Sequence, residues 1–180
     1  LEIVAQALHN SSLSGAFTVS DGYTISGNIV PDLSFCLFGV RRLAHPGYVR
    51  LLQDHWIAIG RSMDEAGCIR SQRVMAQVLF PLGVDEIFSF TGDRAFLDAM
   101  LPLAERSLAY LAGEADPDGL VRLVEYGKWA IGQGADWVDW YKTRMEGKTL
   151  LFHLWYVRAL RRIAALQEER GDREGGAQNR

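Results

Sequence analysis

The chain has 180 residues, with 19 Lys and Arg against 22 Asp and Glu and a formal net charge of −3; that length suits one domain or part of a larger one. Hydrophobic residues make up 48% and charged residues 23%, the balance of a packed globular protein, which excludes disorder. The weak negative charge leaves no electrostatic footprint for nucleic acid or an anionic membrane, and no apolar run approaches the ~20 residues that span a bilayer.

In chain order, the sequence opens inside an apolar-periodic segment (Leu1, Ile3, Val4, Ala7, Leu8). That is the pattern of a helix end, so the chain is expected to be a partial domain. Short β pieces are expected only in loops such as residues 16–25. Residues 32–44 read as an enclosed helix, because Leu33, Phe35, Leu37, Phe38 and Val40 are apolar nearly all round. Asp32 follows Pro31 and opens it; a helix cap is the simple reading and a sugar contact at a pocket mouth the alternative. His45-Pro46-Gly47 is a breaker, and a helix over 48–63 follows, ending in Asp64-Glu65-Ala66-Gly67.

Residues 74–90 form a second enclosed helix, and its Asp85 and Glu86 call for partners on a neighbouring helix. Thr91-Gly92-Asp93 separates it from a helix over 94–115, which has one wet face. A turn at Asp116-Pro117-Asp118-Gly119, a long loop over 122–148 and a helix over 149–167 follow, ending at Arg170-Gly171-Asp172. Residues 173–180 are a polar tail. Cys36 and Cys68 read as buried thiols, and His45 and His55 as surface residues. Arg158, Arg161 and Arg162 read as a solvated basic stripe.

Gly15, Gly67 and Gly119 recur every 52 residues (67 − 15 = 119 − 67 = 52). Apolar residues stand at shared offsets from each: Phe17, Ile69 and Val121 two after, and Val4, Trp56 and Leu108 eleven before. Half-wet and enclosed helices that alternate at one period imply an outer and an inner layer. The expectation is all-α: a toroid of αα hairpins of the (α/α)₆ barrel type over residues 1–172, with about three of six hairpins present, and an open solenoid as the alternative.

The loop over 122–148 is the richest in chemistry. It holds Trp129, Trp137, Trp140 and Tyr141, and the next helix adds Trp155 and Tyr156. Aromatic faces stack on the C–H faces of sugar rings, while Asp136, Asp139, Arg144 and Glu146 offer hydrogen bonds to hydroxyls; anchoring of a long loop is the alternative role for these rings. No Gly-x-Gly-x-x-Gly, phosphate loop, His-Glu-x-x-His, Cys-x-x-Cys or Gly-x-Ser-x-Gly occurs, so no cofactor or metal is expected.

The run Ala135-Asp136-Trp137-Val138-Asp139-Trp140, Thr143-Arg144, Gly147-Lys148 and Leu154-Trp155-Tyr156 with Ala159-Leu160 resembles the six-hairpin glycosidases, nearest the amylo-α-1,6-glucosidase and α-L-rhamnosidase branches. Thr91-Gly92-Asp93-Arg94 and Asp116-Pro117-Asp118-Gly119 resemble the hairpin turns before that motif. The resemblance covers residues 74–172 and is faint before them. It implies glycoside hydrolysis, commonly with inversion, on a carbohydrate substrate. Two carboxyl groups then flank the bond, one protonating the leaving group and the other activating a water.

Asp139 aligns with the motif carboxylate and is the expected general acid. Trp137 and Trp140 would lower the dielectric around it, and Asp136, its understudy, would add to the same upward push on its pKa. Arg144 would orient a carboxylate or hydroxyl. Trp155 completes the sugar site, and His153 is either a structural histidine or a substrate ligand. No second carboxylate stands where the family carries one. A same-fold epimerase or lyase, or a non-catalytic αα-repeat scaffold or carbohydrate-binding remnant, are the alternatives.

Overall fold

The computed structural model describes residues 19–20, 25–26, 46–69, 74–123 and 147–171. Among these residues the protein is all-α apart from a two-residue ribbon. In that ribbon β1 (Val19–Ser20) pairs antiparallel with β2 (Ile25–Ser26), Val19 opposite Ser26. Four helices follow: α1 (Pro46–Arg61), α2 (Val74–Thr91), α3 (Arg94–Gly113) and α4 (Leu150–Arg170). The helix expected over 32–44, with Asp32 and Cys36, lies outside the described residues.

The helix ends show the local chemistry. Pro46 starts α1 two residues earlier than expected, because proline at the first helical position loses no hydrogen bond and has its φ already set. Asp93 caps α3 by accepting the Phe96 N–H at 3.0 Å, and its other oxygen accepts Gln53 Nε2 of α1 at 3.0 Å. Gly171 ends α4 with φ +103°, a conformation without steric cost only for glycine.

The core gathers around α2, which lies against α1, α3 and α4, while α1 also meets α3. By length and mean hydropathy (1.3) α2 would pass for a membrane span; enclosure by the other three helices accounts for that composition instead. Trp56 of α1 is fully buried, stacked on Phe80 with its Nε1–H donating to the Phe80 carbonyl at 2.9 Å. Gly83 makes this possible, since a Cβ there would sit 1.9 Å from the indole. Pro81, inside α2, denies the Gln77 carbonyl its usual helical N–H. Ser107 of α3 fills the gap, its hydroxyl donating to that carbonyl at 2.9 Å.

Two of the lesser expectations change. His55 is buried on α1 and not at the surface. Arg162 leaves the basic stripe to form a two-pronged bond with Asp85, Nε and Nη2 lying 2.7 and 2.8 Å from its oxygens. This is the neighbouring-helix partner that the buried Asp85 required. Cys68 is buried, as expected.

The 52-residue period is a structural repeat across the two described hairpins, α1–α2 and α3–α4. In the first turn Asp64 N–H donates to Cys68 O at 3.0 Å and Gly67 N–H to Asp64 O at 3.0 Å; in the second, Asp116 N–H donates to Leu120 O at 3.0 Å and Gly119 N–H to Asp116 O at 2.8 Å. Every partner is shifted by 52. Both glycines have positive φ, +96° and +77°. Beyond each turn a buried apolar residue, Ile69 or Val121, has its N–H taken by a side chain from the fourth residue of the next helix, Gln77 or His153. Those two side chains are 76 apart (153 − 77 = 76), so the second hairpin holds an insertion of 24 residues (76 − 52 = 24) between its turn and α4.

Candidate functional site

The insertion is the aromatic loop. Its base is closed by Leu123 and Gly147, whose N–H and C=O groups exchange two hydrogen bonds of 2.9 Å. Gly147 adopts φ +80° there. Next to it Lys148 reaches back over the second turn, 2.9 Å from Asp116 and in tight contact with Asp118, and Arg122 lies 3.4 Å from Asp116. Two cations and two carboxylates thus hold the two ends of the loop together. The Lys148 hydrogen bond holds both carboxyls below the ordinary value of 3.8, and the two carboxylates, Asp118 foremost, hold the Lys148 ammonium above its ordinary value.

From this base the chain enters α4 at Leu150, with Thr149 in the capping position. Thr149 makes no side-chain cap, and its Oγ1 is buried without a partner among the described residues. The open N–H groups of the first turn of α4, the positive end of its dipole, therefore adjoin the root of the loop.

Of the residues expected at a sugar site, Asp139, Asp136, Trp137, Trp140, Arg144 and Asp32 lie outside the described residues. The structure places the other two on α4. His153 is engaged at both ring nitrogens: Nε2 accepts the Val121 N–H at 3.0 Å, and Nδ1 lies 2.7 Å from the Thr149 carbonyl, to which it donates in the matching tautomer. Trp155 is half-buried against the core, and one face carries the Arg158 guanidinium 5.3 Å from the ring centre. Two residues apart on a helix, the two side chains point about 200° apart, so they do not converge.

The sequence does not mark Asp116, Asp118, Lys148 and Arg122 as a group. The signal available was the acidic turn at a repeat glycine, but nothing in the sequence pairs it with a lysine 30 residues on. Elsewhere, a shallow cleft of about 210 Å³ lies between α1 and the start of α3, lined by Arg50, Gln53, Asp54, Asp93 and Phe96. Its polar groups are committed: Asp93 to its cap and Gln53, and Arg50 to Asp54 at 3.2 Å. Among the described residues no His, Cys, Asp and Glu side chains gather in a group fit to hold a metal. Compared with known proteins, the chain matches no family model, no curated protein and no solved structure.

Proposed function

We propose that the chain is part of a glycoside hydrolase of the six-hairpin type, an αα-hairpin toroid that cleaves a glycosidic bond with inversion. The observation that carries this reading is the 24-residue insertion in an otherwise regular hairpin repeat. A repeat scaffold tolerates insertions at loops on one face, and such loops are where binding is built. In sequence this one holds Trp129, Trp137, Trp140, Asp136, Asp139 and Arg144, ahead of α4. In this reading Asp139 protonates the leaving oxygen, Asp136 is its neighbour, and Trp137, Trp140 and Arg144 hold the sugar. In the same reading the second carboxylate, which activates water roughly 6.5–9.5 Å away, belongs to another hairpin of the toroid.

A non-catalytic αα-repeat scaffold or sugar-binding remnant is the second reading. It is favoured by His153 and Trp155, whose nitrogens and ring face are spent within the helical framework. The same engagement of His153 counts against an epimerase or lyase that relies on it.

Tryptophan fluorescence of the chain, titrated with rhamnose, glucose and their oligosaccharides, tests the proposal. The expected result is a saturable quench that Trp137→Ala abolishes and Asp139→Asn preserves. Emission that no sugar alters would overturn it in favour of the scaffold.

A further inference from the structure

Gln77 and His153 do the same work in the two hairpins, but only one of them can take up a proton. Gln77 accepts the Ile69 N–H with Oε1, and an amide oxygen keeps that role at any ordinary pH. His153 stands in the corresponding place in the hairpin that carries the insertion. Its Nε2 accepts the Val121 N–H at 3.0 Å, and Nδ1, 2.7 Å from the Thr149 carbonyl, is the donor of the ring. A neutral imidazole has one donor and one acceptor, and here both are in use. A second proton makes Nε2 a donor facing the Val121 N–H, so that proton and this hydrogen bond exclude each other.

The surroundings offer an imidazolium no compensation. It would lie in the first turn of α4, at the positive end of the helix dipole. On the turn and the run into α4, Asp116, Asp118, Arg122 and Lys148 pair with one another. On the helices against α4, Asp85 and Glu86 of α2 act on Arg162 and Glu105 of α3 meets Gln167, at least nine residues further along α4 (162 − 153 = 9). Among the described residues none of these carboxylates forms an ion pair with the ring. Nor do the neighbours titrate where a histidine does. Hydrogen bonds within the cluster hold Asp116 and Asp118 below 3.8 and Lys148 above 10.5, and burial raises the Tyr156 hydroxyl above 10.0.

We propose that His153 is a pH-sensitive latch, which ties the entry of the insertion to α4 at neutral pH and releases it in acid. The Leu123–Gly147 bridge holds the two ends of the insertion to each other, whereas His153 holds the entry to the helix. A released histidine takes up its proton below about 6.5 and the latched ring does not, so the latch weakens about tenfold between about pH 7.5 and 5.5. The latch rests on hydrogen bonds of the hairpin and is independent of the sugar chemistry.

Amide hydrogen exchange of the whole 180-residue chain, followed by NMR with the intrinsic pH dependence of exchange divided out, tests it. Protection of the Val121 N–H should fall about tenfold from about pH 7.5 to 5.5, while that of Ile69 stays level. His153→Gln supplies the acceptor used in the first hairpin and should make Val121 level too, which separates His153 from the other described histidine, His55. Level protection at Val121 in the wild-type chain would overturn the latch, and so would an equal fall in His153→Gln. Ring nitrogen-15 shifts that show an imidazolium at His153 while Val121 stays protected would overturn it as well.

Discussion

At the fourth residue of the second helix in each hairpin, a side chain reaches back to the segment that enters it. Gln77 Oε1 takes the Ile69 N–H and Gln77 Nε2 returns a bond to the Ile69 carbonyl; His153 Nε2 takes the Val121 N–H. One task is thus done by two residue types, which gives His153 a structural account that neither its sequence neighbours nor its chemistry would supply. His153→Gln should keep the clamp and shift stability by under about 1 kcal/mol. His153→Ala strands the N–H of the buried Val121 and should cost about 1–3 kcal/mol. Urea denaturation midpoints of the two variants measure the difference, and equal losses would refute the clamp. At this scale the sequence was partly legible: the apolar frame of Ile69 and Val121 could be read, but the pairing of Val121 with a residue 32 positions away could not.

Between elements, the polar groups inside α2 show how an apolar helix tolerates them. Asp85 is only 8% exposed at its side chain and depends on the Arg162 fork, while Arg162 is 48% exposed and has water as a second choice. The two halves of the pair are therefore unequal. Arg162→Ala leaves a buried carboxylate alone and should cost about 2–3 kcal/mol, less than a fully buried pair because solvent reaches one side. Asp85→Ala lets the guanidinium swing into water and should cost about 1 kcal/mol. Thermal or urea unfolding of the two variants tests the order, and a larger loss for Asp85→Ala would contradict it. Helix positions were largely legible in the sequence because glycine turns and apolar periodicity are local signals, and all four described helices lie within three residues of their expected ends. Which polar side chains met across the helices was not, because a fork between residues 77 apart depends on how α2 and α4 cross.

For the molecule as a whole, the acidic turn and Lys148 make folding sensitive to acid. Asp116 and Asp118 have carboxyl pKa values lowered below 3.8 by the Lys148 hydrogen bond. A carboxyl whose folded value lies below its unfolded one contributes stability above the unfolded value and loses it as pH falls through the folded one. Lys148 runs oppositely: its value is raised above 10.5, so its contribution is present below that and is lost at still higher pH. The unfolding midpoint should therefore decline as pH drops below about 4. Lys148→Met should make that decline shallower, and 1 M salt should weaken the effect because these groups are exposed. An unchanged acid limb in Lys148→Met would show that the loop base does not depend on this cluster.

The sequence by itself determined the all-α class, the 52-residue repeat of the described turns and the position in the chain of the long aromatic loop. These rest on glycine conformation, apolar periodicity and spacing, which act over a few residues. Only the tertiary structure decided that His153 closes a turn, that Arg162 belongs to Asp85 and that Lys148 ties Asp116 to Asp118. It alone showed which apolar residues stay uncovered: Leu150 and Leu154 read in sequence like Val74 and Val78, yet they lie open where the first hairpin is roofed by the second. Burial belongs to the neighbours a side chain acquires when helices stack, and no local pattern encodes them.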